Sequence, residues 1–156
     1  MEGGYAGAVL QIDLTTGDVK EEELDAEVVE KFIGGWGVNN KFYYDLQKPG
    51  VDPFSPDSPV VIGAGALVGT LAPGASKITA TYKSPIFARE EKHIIDNTVA
   101  GSNRFGVMLK NSGYDHVIIT GRADEPVYLK IFDDDVKICG AGDLWGKKTF
   151  MRLPII

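Results

Sequence analysis

The stretch from Asn97 to Asp115, NTVAGSNRFGVMLKNSGYD, holds the residue types best suited to chemistry. Ala100-Gly101-Ser102 reads as a small-residue loop that runs into Asn103-Arg104 and then into a short amphipathic helix. Phe105, Met108 and Leu109 fall at i, i+3 and i+4, the spacing of one apolar helical face. Ser102 or Asn103 is placed to cap the helix, and Gly113 to end it in a left-handed turn. First-turn N–H groups and the positive end of the helix dipole would then face an anion, typically a phosphate. The alternative is a capped surface helix that binds nothing.

Other motifs carry less. Gly63-Ala-Gly65-Ala-Leu-Val-Gly69 follows a strand and imitates a dinucleotide fingerprint, but Pro73 stops any helix after it. No acidic residue stands about 20 positions on to hold a ribose. His93 and His116 lack flanking ligands and read as ordinary strand residues rather than metal ligands. Cys139 lies in a strand with no base nearby in sequence, and no Gly-x-Ser-x-Gly elbow exists. Nothing local forms a self-contained catalytic centre.

The elements that must position the central stretch read as follows. Ala8 to Leu14 alternates as a strand, Thr15 to Asp18 turns, and Val19 to Glu22 returns. Asp25 caps a helix with Val28, Val29, Phe32 and Ile33 on one face, and Gly34-Gly35 ends it. A second helix, about Val38 to Gln47, is expected to bury Val38, Phe42, Tyr43 and Leu46. Pro49 to Pro59 is loop, Ser58 to Gly65 a buried strand, and Lys77 to Lys83 another strand. Ile86 to Lys92 reads as a loop or short bulge, and His93 to Asp96 as a strand. His116 to Thr120, Val127 to Phe132 and Val136 to Cys139 complete the strands, with a last helix beginning near Asp143 or Leu144. The hairpin at residues 9–20 echoes that at 128–137, either by shared β-propensity or through a duplicated, pseudo-symmetric sheet. The fold class is therefore α+β: mixed or antiparallel sheets, a pseudo-duplicated arrangement and about three helices, near 25–33, 38–47 and 103–112.

Composition narrows the function. The chain has 156 residues, 44% of them hydrophobic and 24% charged, as one ordinary globular domain would. A net charge of −6 argues against nucleic acid or an anionic membrane as the main partner. No apolar run approaches a membrane span, and the acidic, Gly-rich start is no signal peptide. The single cysteine excludes an internal disulfide and fits a reducing cytoplasm. It also cannot hold an iron–sulfur cluster.

Several short pieces follow one another in a specific order. They are Asp13-Leu14-Thr15-Thr16-Gly17, Phe32-Ile33-Gly34-Gly35-Trp36-Gly37 and Asp52-Pro53-Phe54-Ser55-Pro56. Gly69-Thr70-Leu71-Ala72-Pro73 and Lys83-Ser84-Pro85 follow, then Phe105-Gly106, Leu109-Lys110, Gly113-Tyr114-Asp115 and Trp145-Gly146-Lys147-Lys148. The ordered set resembles the N-terminal domain of the tungsten-dependent aldehyde:ferredoxin oxidoreductase family over roughly residues 5 to 149. Residues 1 to 150 are then that domain, and 151 to 156 a non-family tail or truncation.

The resemblance implies a β-sheet saddle under a tungsten bis-molybdopterin cofactor whose phosphates share a magnesium ion. It implies two-electron oxidation of an aldehyde to a carboxylate, with ferredoxin as acceptor. The 4Fe-4S cluster and most of the substrate cavity would belong to the remaining domains of the same enzyme, so this chain alone would not be catalytic. A homo-oligomer is compatible with that reading. The family's basic pterin contact falls on Lys77, where arginine is often found; lysine keeps the charge but loses the bidentate fork. The family's cofactor loop falls on Ala100, Gly101, Ser102 and Asn103, with the backbone through Arg104 as donor. Extra residues between Pro85 and Phe105 allow Asn97 to take the loop asparagine's place instead. The competing reading is a binding or interaction module that kept the fold and lost the cofactor. Sequencing the downstream coding region separates the two: a Cys-x-x-Cys-x-x-x-Cys cluster is expected for the enzyme, and its absence favours the module.

Overall fold

The computed structural model describes residues 3–89, 92–101 and 104–147. Along the chain run β1 (Ala8–Asp13), β2 (Asp18–Glu23), α1 (Ala26–Phe32), α2 (Trp36–Leu46), β3 (Val60–Ala64) and β4 (Lys77–Arg89). Then come β5 (Lys92–Gly101), α3 (Phe105–Asn111), β6 (Tyr114–Thr120), β7 (Val127–Phe132) and β8 (Asp135–Gly140). The first six strands form one sheet in the order β2-β1-β6-β3-β4-β5, while β7 and β8 form a separate two-stranded sheet. β1 and β6 are parallel and the other neighbours antiparallel. The α+β class, the mixed sheet and the three helices match the sequence reading.

Alternation along the strands divides the apolar residues between two cores. Val9, Val61 and Ile118 turn to the helical side and pack with Leu24, Val29, Val38 and Tyr43. Leu10, Ile12, Tyr114 and Val117 turn the other way, to Leu109 of α3 and to Leu129, Ile131, Val136 and Ile138 of the β7–β8 hairpin. The two hairpins that echo each other in sequence thus share one core, although they belong to different sheets. Each fully buried side chain of this kind contributes about 1.5–3 kcal/mol. β6, covered on both faces, is buried over its first five residues.

Local chemistry sets the helix ends. The Asp25 carboxylate accepts the Glu27 N–H at 2.8 Å and caps α1 as expected. Ile33 ends that helix at φ 66°, an uncommon conformation for a β-branched residue. α2 buries Val38, Asn39 and Tyr43; Phe42 is half-buried. Leu46, expected in the core, is 40% exposed and lines an open cleft with Gln11, Ile12 and Ile118 of the sheet. Gly113 takes the left-handed turn expected of it, at φ 95°.

Four expectations need correction. Ala100 and Gly101 are not loop but the last residues of β5, because Lys77 and Ile78 pair with them across the ladder. Helix α3 starts at Phe105 with Arg104 at its N-cap, and among the described residues no side chain caps it. The expected caps, Ser102 and Asn103, lie outside the described residues. The segment from Ile86 belongs to β4, which continues to Arg89 across a register shift between Lys83 and Ala88, so the bulge reading holds and the loop reading does not. Residues 142–147 form successive turns, with Leu144 and Trp145 N–H groups both donating to Ala141 O, instead of starting a helix.

Gly63, mid-strand in β3, is the tightest spot of the fold. A Cβ there would lie 2.2 Å from His116 Nδ1 and 2.3 Å from Asn39 Oδ1. Gly63→Ala should therefore destabilise the chain by about 3 kcal/mol or more, at the upper end of ordinary overpacking. Urea unfolding monitored by tryptophan fluorescence measures this; a loss under about 1 kcal/mol would show that the junction yields easily.

Candidate functional site

Lys77 opens β4, Gly101 closes β5, and the antiparallel register sets the two opposite each other. Ala100 stands beside them, opposite Ile78. Lys77, Thr79 and Thr81 share one face of β4, with Gly101, Val99 and Asn97 as their partners on β5. Arg104 follows at the N-cap of α3. Lys77, Ala100, Gly101 and Arg104 are all exposed. The structure thus joins Lys77, Ala100 and Gly101 by strand pairing and adds Arg104 through the chain, while Ser102 and Asn103 lie outside the described residues. Among the described residues neither Lys77 nor Arg104 belongs to an ion pair. A Cβ added at Gly101 would meet no atom within 4 Å, so the backbone there is open to approach. α3 is only seven residues long, so its dipole adds little beside the exposed Lys77 and Arg104 side chains.

A buried polar network stands behind these strands. Asn39 Nδ2 donates to Val61 O at 3.2 Å, Thr79 O at 3.2 Å and Thr79 Oγ1 at 3.0 Å. With its amide nitrogen engaged by acceptors, Asn39 must turn its Oδ1 to His116 Nδ1, 2.7 Å away. The imidazole therefore carries its proton on Nδ1. Thr79 Oγ1 donates to Gly63 O at 3.2 Å. On the next turn of the same face, Thr81 Oγ1 donates to Asn97 Oδ1 at 2.6 Å, and Asn97 Nδ2 to Asn40 Oδ1 at 3.3 Å. Phe42 meets the His116 ring edge-on, with centroids 5.6 Å apart.

A second buried cluster fastens the N-terminal segment. Lys110 and Asp115 pair at 2.9 Å with side chains 6% and 0% exposed. Asp115 accepts the Ala6 N–H at 3.1 Å and the Gly7 N–H at 2.7 Å, and Lys110 also donates to Gly4 O. Removing one member of such a pair costs about 3–5 kcal/mol, because the other is left buried and unpaired.

Sequence reasoning missed Asn39, Thr79 and the role of Gly63. The available signal was a glycine directly after the β-branched run Val60-Val61-Ile62 and still within the strand, which marks a close approach.

Comparison with known proteins settles the lineage of this arrangement. The sequence profile described as "Aldehyde ferredoxin oxidoreductase, N-terminal domain" matches residues 9–153. The chain belongs to that family. A tungsten-containing aldehyde ferredoxin oxidoreductase from Pyrococcus furiosus is 37% identical over 147 residues, covering 94% of this chain and 23% of its own length. From the same organism, the aliphatic sulfonate oxidoreductase WOR-like subunit is 38% identical over 148 residues, covering 91% of this chain and 22% of that protein. Among solved structures, the active-site complex BamBC of benzoyl coenzyme A reductase, bound to 1,5-dienoyl-CoA, superposes with a TM-score of 0.83. It is 34% identical and covers 92% of this chain and 21% of its own. This aldehyde ferredoxin oxidoreductase domain thus spans less than a quarter of the length of these relatives.

His116 gives the domain a titration signature. Burial above all, opposed by the Asp115 carboxylate and aided by the Lys110 ammonium, lowers its pKa from 6.5 to about 4. The unfolded chain takes up this proton near pH 6.5 and the folded chain only near 4. Stability from the neutral imidazole is thus complete above 6.5 and lost as pH falls toward 4. The difference amounts to about 3 kcal/mol. In urea titrations from pH 7 to 4.5, His116→Gln should lack this loss, so its stability gap from wild type narrows with acidity. A gap independent of pH would contradict the assignment.

Proposed function

We propose that this chain is the cofactor-binding N-terminal domain of a larger tungsten oxidoreductase that oxidises aldehydes to carboxylic acids with ferredoxin as electron acceptor. The observation that carries the reading is the family match across residues 9–153, with tungsten-containing relatives 37% identical. The cofactor is a tungsten bis-molybdopterin with magnesium between the pterin phosphates. The exposed residues fit such a group: Lys77 and Arg104 offer positive charge that no described acidic residue neutralises, and Gly101 offers open backbone. When bound, the group supplies the two-electron redox centre.

In the overall reaction an aldehyde and water give a carboxylate, three protons and two electrons, and ferredoxin takes the electrons. This chain's share is to bind and orient. Lys77, Arg104 and the backbone of Ala100, Gly101, Ser102 and Asn103 hold the phosphate side, and the buried Asn39 network keeps the strand ends in place. A four-cysteine 4Fe-4S cluster cannot form on Cys139 alone, so the cluster lies in the remaining domains and the isolated domain does not oxidise aldehydes. The outer part of the β4–β5 hairpin supports the expectation of further domains. Ile86 is 82% and Phe87 57% exposed beside the half-open Ile94 and Ile95, an apolar surface of the sort that intact proteins cover.

Charge-assisted hydrogen bonds to a phosphate contribute about 1.5–3 kcal/mol each. In the complete enzyme, Lys77→Ala should weaken cofactor retention by roughly ten- to a hundredfold. Gly101→Val should be as damaging, since its side chain meets nothing within the domain and acts only on an approaching ligand. Tungsten by mass spectrometry and pterin by fluorescence read the outcome, and wild-type retention in both variants would refute the site.

A further inference from the structure

The two strand ends that present Lys77 and Gly101 are both held by consecutive residues of one helix. Asn39 in α2 grips β4 through the backbone carbonyl and the hydroxyl of Thr79, two residues from Lys77 on the same face. Asn40 grips β5 through Asn97, four residues before Gly101 on that face. The side chains of Thr81 and Asn97 close the rung between the strands. Beyond Thr79 toward the strand ends, the Lys77–Gly101 pair is exposed. The position of the Lys77 backbone, from which the ammonium reaches out, is therefore set by the last clamped rung rather than by packing around the lysine.

We infer that Thr79 and the Asn39-Asn40 pair are positioning residues for the cofactor site, acting on a bound phosphate group only through Lys77 and Gly101. The inference rests on the binding role proposed above. Its chemistry is simple. A polar clamp on one face fixes register and height of both strands, so the cation and the open backbone meet the same phosphate without prior reordering. Asn39 itself is fully buried and bonded to His116, so its replacement risks unfolding. Thr79→Val keeps shape and backbone while removing only the hydroxyl, and Asn40 is exposed.

The test is a double-mutant cycle in the full-length enzyme, read as tungsten and pterin bound per folded protein after extended dialysis. Thr79→Val should lower retention about fivefold, Thr79→Ser should restore it, and Asn40→Ala should lower it about twofold, in line with the loss of single hydrogen bonds. The double variant Lys77→Ala/Thr79→Val should lose clearly less than the product of the two single losses, because Thr79 acts in part through the lysine. Multiplying losses in the double variant would mean that Thr79 serves general stability, and the inference would fall. Wild-type retention in Thr79→Val, with cofactor lost from Lys77→Ala, would overturn the positioning role and leave the binding site standing. Retention in Lys77→Ala as well would remove the site and the inference together.

Discussion

The fold depends on one buried hydrogen bond, from His116 Nδ1 to Asn39 Oδ1 at 2.7 Å. It stands where α2 crosses the sheet, and it commits the remaining atoms of both side chains. The Asn39 amide nitrogen must face β3 and β4, where Val61 O, Thr79 O and Thr79 Oγ1 receive it. The imidazole edge must face Gly63, which leaves no space for a Cβ. Four elements are thereby fixed by one pair of side chains. Among the described residues the buried His116 Nε2 atom has no partner, so charging the ring is disfavoured. A polar junction of this kind tolerates few alternatives, because each unmet partner costs about 1–3 kcal/mol.

The apolar cores are permissive by comparison. Val9, Val61 and Ile118 on one side and Leu10, Ile12 and Val117 on the other follow from alternation, and many aliphatic residues would serve. What distinguishes the two sheet edges is charge. β2, at one edge, exposes all six of its residues, including Asp18, Lys20 and Glu21 to Glu23, and resists edge-to-edge pairing. β5, at the other edge, carries Ile94, Ile95 and Val99 at 41–45% exposure, which suits an edge that other parts of a larger protein would cover.

This difference between apolar pattern and polar junction explains what was legible in the sequence. The alternation of Ala8 to Leu14 and Lys77 to Lys83 announced strands, and Asp25 announced a helix start, because each signal is local. Asn39 looked like any helical polar residue and His116 like any strand histidine; their partners lie 77 positions apart in sequence. Ala100-Gly101 looked like loop because small residues lack β-propensity. The long-range pairing with Lys77 and Ile78 overrode that weak preference. A helix beginning near Asp143 or Leu144 is not formed there; Gly142 and Gly146 favour the turns observed instead. Lys77 as a candidate site residue came from the family resemblance, and only the register sets it opposite Gly101.

The misread loop also changes the physical account of anion binding. A chain of net charge −6 gains nothing from its long-range field when it meets a phosphate, and salt screens charges beyond about 8 Å. Attraction has to come from groups within contact distance, and its strength depends on how little they must reorganise. A flexible glycine loop would have to be ordered by the ligand, at about 1–2 kcal/mol per residue fixed. Strand pairing orders Ala100 and Gly101 beforehand, and sets Cα atoms of paired residues only about 4.5–5.5 Å apart. Lys77 and the Gly101 backbone therefore stand close enough to share one phosphate. The ordering cost is met during folding, by the ladder and by the α2 clamp behind it, and in the proposed site this would let a short lysine-and-glycine rung serve where arginine's rigid fork is absent.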